Sequence, residues 1–251
     1  MRVAVFSDVH GNLSALEAVL ADIQAQAVDD IVFAGDLCLV GPRPAECLRR
    51  VRDAAIPSLY GNTDDWVLER QQPPERLAAL ARWTRAQLSD AEQAWLDGLP
   101  FARRIAPNDD AAQTLLVVHA NPQDVNQIIF PPEAEQIARY GRIRQSDADL
   151  TPLLAGLDVS TLAFGHLHIP NERRIAGARL LNVSAVSMPG DGDPRARYGL
   201  LTWTRGGWRC ERRAAAYDVA AEISAYAQAK PPGWEAIVAA LRAQGYFPQK
   251  V

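Results

Sequence analysis

The sequence predicts an α/β fold with parallel strand pairs, and three observations predict it. Through the opening third, short apolar runs alternate with polar turns and amphipathic helices. Five apolar runs along the chain end in a side chain able to hold a metal, usually beside a small residue. The remaining apolar periodicity is helical in the middle and hairpin-like towards the end.

Val3 to Phe6 reads as a buried strand, followed by the polar stretch Ser7 to Asn12. Leu13, Leu16, Val19, Leu20 and Ile23 then mark one helix face. Ile31 to Ala34 is a second strand ending in Gly35-Asp36, Pro44 to Arg52 a short helix, and Pro57 to Tyr60 a third strand ending in Gly61-Asn62. Leu77 to Gln87 is helix-compatible, Ser89 caps a helix through Leu96, and Gly98-Leu99-Pro100 stops it. Strands follow at Phe101 to Ile105 and Thr114 to Val118, the latter ending in His119. Residues 120–145 lack a clean period and read as a surface excursion. Ser146 to Leu154 is a short helix, and Thr161 to Phe164 a strand ending in Gly165-His166-Leu167-His168.

Further strand-like pieces lie at Arg173 to Ile175 and Arg179 to Val183. A hairpin follows, Arg197 to Trp203 and Trp208 to Arg213, turning at Gly206-Gly207. Trp203 and Trp208 face each other across it and read as packing. Two helices, carrying Val219, Ile223 and Tyr226, then Trp234, Ile237, Val238 and Leu241, close the chain. The simplest organisation is a single domain over 1–251 with a helical C-terminal appendage at about 216–251. The apolar faces of that appendage are compatible with a homodimer.

Composition narrows the partners. With 251 residues, 48% apolar and 22% charged, the chain suits one substantial core rather than disorder. A net charge of −4 and a pI near 5.6 argue against a broad basic surface for duplex nucleic acid. A small phosphorylated substrate stays compatible, because a metal centre supplies positive charge locally. Three cysteines without a CxxC pair suggest reduced thiols and a cytoplasmic protein. The apolar run at the N-terminus is too short for a signal peptide, and nothing reaches the roughly 18 apolar residues of a membrane span.

The five strand ends are Asp8/His10, Gly35-Asp36, Gly61-Asn62, His119 and Gly165-His166-Leu167-His168. Ligand sites in α/β sheets form at the carboxyl ends of strands, so adjacent ends would bring these groups together. Asp8/His10 and His166/His168 have i, i+2 spacing, which on extended backbone shares a face at about 6–7 Å between Cα atoms. Such pairs could meet one ion or two. All four histidines of the chain lie at these ends. A buried structural role would have to hold for each of them and for Asp8, Asp36 and Asn62 as well.

At these residues the sequence resembles the calcineurin-like metallophosphoesterase superfamily, whose D-x-H, G-D, G-N, H and G-H-x-H pieces occur here in order. The stretch Asn182 to Pro189, followed by Gly192-Asp193-Pro194-Arg195, also looks like a small bacterial and archaeal branch of it. The resemblance implies a four-layer α-β-β-α sandwich, two facing mixed β-sheets with helices outside. It implies that Asp8, His10 and His168 hold a first divalent metal and Asn62, His119 and His166 a second, with Asp36 bridging. The mixed oxygen and nitrogen donors, without thiolate, suit Mn²⁺, Fe or Zn²⁺ better than Mg²⁺; Mn²⁺ is the expected metal, with Fe, Zn²⁺ or Ni²⁺ as alternatives. Two divalent ions would leave a net positive centre for a phosphoryl group and lower the pKa of a bridging water, giving a hydroxide nucleophile at neutral pH.

The implied function is hydrolysis of phosphodiester or phosphoanhydride bonds, with nucleotides among the candidate substrates. Many relatives carry G-N-H-[DE], the histidine poised to protonate the leaving group; here Thr63 takes its place. That tilts the expectation towards good leaving groups. Asp64 either orients the metal ligands or N-caps a helix starting at Asp65. Asn12 is a candidate phosphate contact and equally the N-cap of the helix from Leu13. Asn121, Arg142 and Arg144 are candidates to line a substrate pocket, with solvated surface the favoured reading of the arginines. There is no phosphate-binding G-x-x-x-x-G-K-[ST] loop and no G-x-S-x-G elbow. The competing reading is a non-catalytic interaction scaffold on the same fold, as in a retromer trafficking subunit. The complete ligand set argues against it.

Overall fold

The computed structural model describes residues 1–243. The chain opens with β1 (Arg2–Phe6), α1 (Leu13–Gln24), β2 (Asp30–Phe33) and α2 (Pro44–Asp53). Three helices follow, α3 (Asn62–Val67), α4 (Glu75–Ala86) and α5 (Asp90–Asp97), then β3 (Ala102–Ile105) and β4 (Leu115–Val118). Next come α6 (Glu133–Tyr140), α7 (Asp147–Leu154), β5 (Thr161–Phe164), β6 (Asn171–Ile175) and β7 (Ala178–Asn182). The hairpin β8 (Ala196–Thr204) and β9 (Gly207–Ala215) leads to α8 (Val219–Ala229) and α9 (Trp234–Arg242).

Two mixed sheets result, in the orders β2-β1-β8-β9 and β3-β4-β5-β7-β6. β1 runs parallel to β2, and β4 parallel to β5. The period-2 alternation of β1 shows how the layers form. Val3 and Val5 pack with Val117, Ala163 and Leu181 of the other sheet. Ala4 and Phe6 instead meet Leu16, Val19 and Leu20 of α1. Beyond the second sheet, Leu116, Leu162 and Phe164 cover Leu150, Leu153 and Leu154 of α7. The order is therefore helix, sheet, sheet, helix, as the sequence implied. Side-chain caps start helices where expected: Asn12 accepts from the Ala15 N–H at 3.0 Å, and Ser89 and Ser146 cap α5 and α7. Trp203 and Trp208 are cross-strand partners, and Trp208 donates its indole N–H to the Gln113 carbonyl at 2.8 Å.

Two expectations need correction. The strand at Pro57–Tyr60 is only a single parallel bridge between Phe33 and Ser58. Pro57 has no N–H to donate, and Tyr60 turns its own to the Pro100 carbonyl. The excursion at 120–145 contains α6 and is held by polar groups rather than an apolar face. Buried Gln136 bonds the carbonyls of Pro131 and Gln145 and accepts from the Arg144 and Gln145 N–H groups. Arg173 donates to the Phe130 and Pro131 carbonyls from below. In the C-terminal appendage, Ile223, Tyr226, Trp234, Ile237, Val238 and Leu241 pack together with Val40. The final residues of the appendage, 244–251, lie outside the described residues.

Candidate metal centre

Asp8 and His10 follow β1, Asp36 follows β2, His119 follows β4, and His166 and His168 follow β5; Asn62 opens α3. Five of these seven residues have left-handed backbone: Asp8 (φ 58°), His10 (49°), Asp36 (64°), His166 (65°) and His168 (62°). Such a conformation costs a non-glycine residue about 1–2 kcal/mol. The premise of extended i, i+2 pairs is thus wrong, because the chain turns sharply as it leaves each strand. As a result Asp8 and His10 reach the same cluster, while His166 and His168 diverge to different ones.

Asp8, His10 and His168 form one group of converging donor atoms, and Asp36, His119 and His166 another. In the first, His168 Nε2 lies 3.1 Å from Asp8 Oδ1 and 3.2 Å from His10 Nε2. In the second, His119 Nε2 lies 3.2 Å from His166 Nδ1 and 2.9 Å from Asn62 Oδ1. Asp36 stands between them, with Oδ2 3.8 Å from His10 Nε2 and Oδ1 3.5 Å from His119 Nε2.

Each imidazole has its other nitrogen on a backbone carbonyl: His10 on Leu39, His168 on Met188, His119 on Ala34 and His166 on Asn126, all at 2.9–3.0 Å. A carbonyl only accepts, so it fixes the proton on that nitrogen and leaves a lone pair facing inward. Lone pairs therefore confront one another at 3.2 Å in both clusters, with the Asn62 oxygen and two buried carboxylates beside them. That arrangement repels itself unless metal ions or protons sit among the donors, and the carboxylates do draw His119 and His168 towards protonation. The spacing also suits ligands about 2.0–2.2 Å from a metal. The residues fit two divalent ions.

Protonation agrees. Burial pushes His10 and His166 down to about 3, so both are neutral ligands at pH 7. Burial alone would raise Asp8, but the charge and hydrogen bond of His168 outweigh it and hold the carboxyl well below the ordinary range. Burial raises Asp36, with the charge of Asp8 adding to it. His119 and His168 are raised because nearby carboxylates overcome their burial.

Around the ligands lies a frame of hydrogen bonds. Fully buried Asp64 accepts from three backbone N–H groups, Asp36 at 2.9 Å, Leu37 at 3.0 Å and Gly61 at 2.9 Å. α3 begins at Asn62 with Gly61 as its cap, so Asp64 is not the N-cap of a helix at Asp65. Burial, reinforced by Asp36, pushes the Asp64 carboxyl up to about 7 against the pull of those donors. The stretch 182–188 supports the His166–His168 turn: Asn182 bonds the Gly165 carbonyl at 2.7 Å and Ser184 the His168 carbonyl at 2.8 Å. Met188 supplies the carbonyl that orients His168. Sequence reading missed these carbonyl acceptors, since any residue can provide one.

The glycines before ligands are required by close approach. A Cβ on Gly165 would lie 2.2 Å from Ser7 Oγ and 2.3 Å from Asp8 Oδ2. Gly165→Ala should therefore lower stability by about 1–3 kcal/mol, the scale of an overpacked interior. Urea unfolding would measure it, and a wild-type midpoint would show that the backbone yields freely.

Other candidates are placed differently. Asn12 is 2% exposed, caps α1 and donates to Ser187 Oγ at 3.4 Å. Fully buried Asn121 ties up its own loop, accepting from the Gln123 and Asp124 N–H groups and donating to the Gln127 carbonyl. Both side chains take part in hydrogen bonds within the protein. Thr63 lies beside Asp36 and donates its backbone N–H to Oδ1 at 2.9 Å. Arg142 is exposed, whereas the Arg144 guanidinium stacks on Tyr140 and Phe130, 4.8 and 5.7 Å from their ring centres.

Comparison with known proteins gives the same reading of fold and family. An uncharacterized protein of Methanocaldococcus jannaschii is 28% identical over 202 residues, 78% of this chain and 80% of its own. The metallophosphoesterase from Sphaerobacter thermophilus is 29% identical with a TM-score of 0.73, covering 97% of this chain and 99% of that one. A hypothetical protein from Pyrococcus horikoshii shares the fold at a TM-score of 0.79 and 16% identity, over 100% of this chain and 99% of that one. Residues 1–206 match the calcineurin-like phosphoesterase superfamily domain, and this span contains every one of the seven converging donors. The chain belongs to that superfamily, a family of metal-dependent hydrolases of phosphoester bonds.

Proposed function

We propose that this protein hydrolyses phosphodiester or phosphoanhydride bonds at a dinuclear divalent-metal centre. One observation carries the reading: seven donors converge, and all four imidazoles have their protons fixed on the side away from the centre. Asp8, His10 and His168 hold one ion; Asn62, His119 and His166 hold the other. Asp36 bridges them, and Asp64 fixes Asp36 against the start of α3. Bound divalent ions supply positive charge to a phosphoryl group and activate water for attack. Mn²⁺ is the preferred metal, with Fe, Zn²⁺ and Ni²⁺ the alternatives the donor chemistry allows. Asn12 and Asn121, each also hydrogen-bonded within the protein, are the proposed substrate contacts.

Thr63 shapes substrate choice. Its position beside Asp36 carries no imidazole, so it offers no protonated ring to a departing alkoxide. Substrates with good leaving groups depend least on such assistance, which favours diesters and anhydrides, including cyclic nucleotides and dinucleoside polyphosphates. A scaffold without catalysis would have no use for a complete inward-facing donor set. Three free cysteines, two of them buried, support a reducing cytoplasmic setting. No helix among the described residues is long and apolar enough to cross a membrane. The test is a panel of mono- and diesters, cyclic nucleotides and dinucleoside polyphosphates with Mn²⁺. Diesters or polyphosphates should turn over fastest; hydrolysis of monoesters alone would overturn the role given to Thr63.

A further inference from the structure

We propose that the C-terminal helix pair α8–α9 positions the metal centre, acting through Val40 and the Arg43–Glu222 ion pair on the carbonyl that orients His10. The loop from Leu37 to Arg43 wraps the turn carrying His10. His10 N–H donates to the Asp36 carbonyl at 3.0 Å, Gly11 N–H to Leu37 at 2.8 Å, and Gly41 N–H returns to the His10 carbonyl at 2.7 Å. Arg43 N–H then bonds the Gly11 carbonyl at 3.2 Å. At the centre of this loop the Leu39 carbonyl accepts from His10 Nδ1 at 3.0 Å. The shape of the loop therefore decides which nitrogen of His10 faces the other donors.

Local preference does not produce that shape. Val40 has φ 98°, a region that β-branched residues avoid, and such backbone persists only where its surroundings over-determine it. The surroundings here are the main core on one side and the C-terminal helices on the other. Val40 packs against Tyr226, Ile237 and Val238. Three residues on, Arg43 pairs with Glu222 of α8, which is fully buried. Arg43 also donates to Ser14 Oγ at 2.8 Å, while Glu222 accepts from the Ser14 N–H at 3.4 Å. The pair joins the end of this loop to α8 and, through Ser14, to α1. The helices lie beyond residue 206, where the match to the superfamily domain ends, although the Sphaerobacter thermophilus metallophosphoesterase aligns over 97% of this chain.

Val40 and Glu222 are positioning residues, and two variants test them. Glu222→Gln keeps the shape but removes the charge; Val40→Gly relieves the backbone and removes the side chain that α8 and α9 grip. In metal-free protein, ¹H–¹⁵N correlation of the histidine rings reports the tautomer of His10, and calorimetric titration with Mn²⁺ reports affinity. Wild type should show a single Nδ1–H tautomer. Both variants should show mixed tautomers and bind Mn²⁺ about tenfold more weakly at one site, the scale of losing a partner behind a ligand. Val40→Gly should do so with its thermal midpoint close to wild type, because relieved strain offsets lost packing. Folded variants with the wild-type tautomer and wild-type Mn²⁺ affinities would overturn the proposal. Should Glu222→Gln fail to fold, Val40→Gly decides alone. The tautomer needs no metal, so its outcome stands even if the dinuclear reading fails.

Discussion

Asp36→Ala should reduce Mn²⁺-supported turnover of an aryl phosphodiester by about 10³-fold or more, a loss of roughly 4 kcal/mol of transition-state stabilisation. The reason is position. Asp36 extends one carboxylate oxygen towards His10 in the first cluster and the other towards His119 in the second. Asp8 directs its oxygens to His10 and His168 and to the His166 N–H, so it does not substitute. Removing Asp36 thus takes a donor from both clusters at once. Stability should respond differently. In metal-free protein the Asp36 carboxyl is raised by burial and by the charge of Asp8, which marks a group whose ionised form is unfavourable there. Its loss leaves the Thr63 N–H without an acceptor but removes a like charge from a buried site. The variant should therefore remain folded, with a thermal midpoint near wild type and fewer than two Mn²⁺ bound per chain. Turnover at the wild-type level would rule out a bridging role.

The contrast between these donors and their supports explains how much was legible in the sequence. Asp8, His10, Asp36, Asn62, His119, His166 and His168 announce themselves because few side chains bind metals, and each stands just after an apolar run. The layer order was legible only through the resemblance to the superfamily; β1, apolar on both faces, fits it as a strand covered on both sides. What was hidden depends on backbone. The Leu39, Met188, Ala34 and Asn126 carbonyls that orient the imidazoles have no residue signature. The left-handed turns at Asp8, His10, Asp36, His166 and His168 were invisible because no glycine marks those positions. The excursion around α6 escaped because buried Gln136, Gln145 and Arg173 organise it, and such residues usually read as surface. The bridge at Ser58 was mistaken for a strand because apolar content was weighed above the missing N–H of Pro57.

Asp64 shows how magnitude separates two roles that one sequence position allowed. If its carboxylate merely terminated α3, removing it would cost about 1 kcal/mol, the usual worth of a helix cap. The structure gives it three backbone donors from two segments, the residues after β2 and the start of α3, in a fully buried setting. An unmet buried donor costs about 1–3 kcal/mol, so Asp64→Ala should lower stability by roughly 3–5 kcal/mol once partial relaxation is allowed. Metal binding should fall as well, because the same carboxylate holds Asp36 in register with Gly61, the residue before Asn62. Asp64→Asn retains an acceptor oxygen but turns an amide towards at least one N–H, and should fall between wild type and alanine. Urea unfolding and Mn²⁺ titration of the two variants measure both effects. A loss near 1 kcal/mol with unchanged metal affinity would reduce Asp64 to a cap; a large loss in both would make it the brace that joins the bridging ligand to the second cluster.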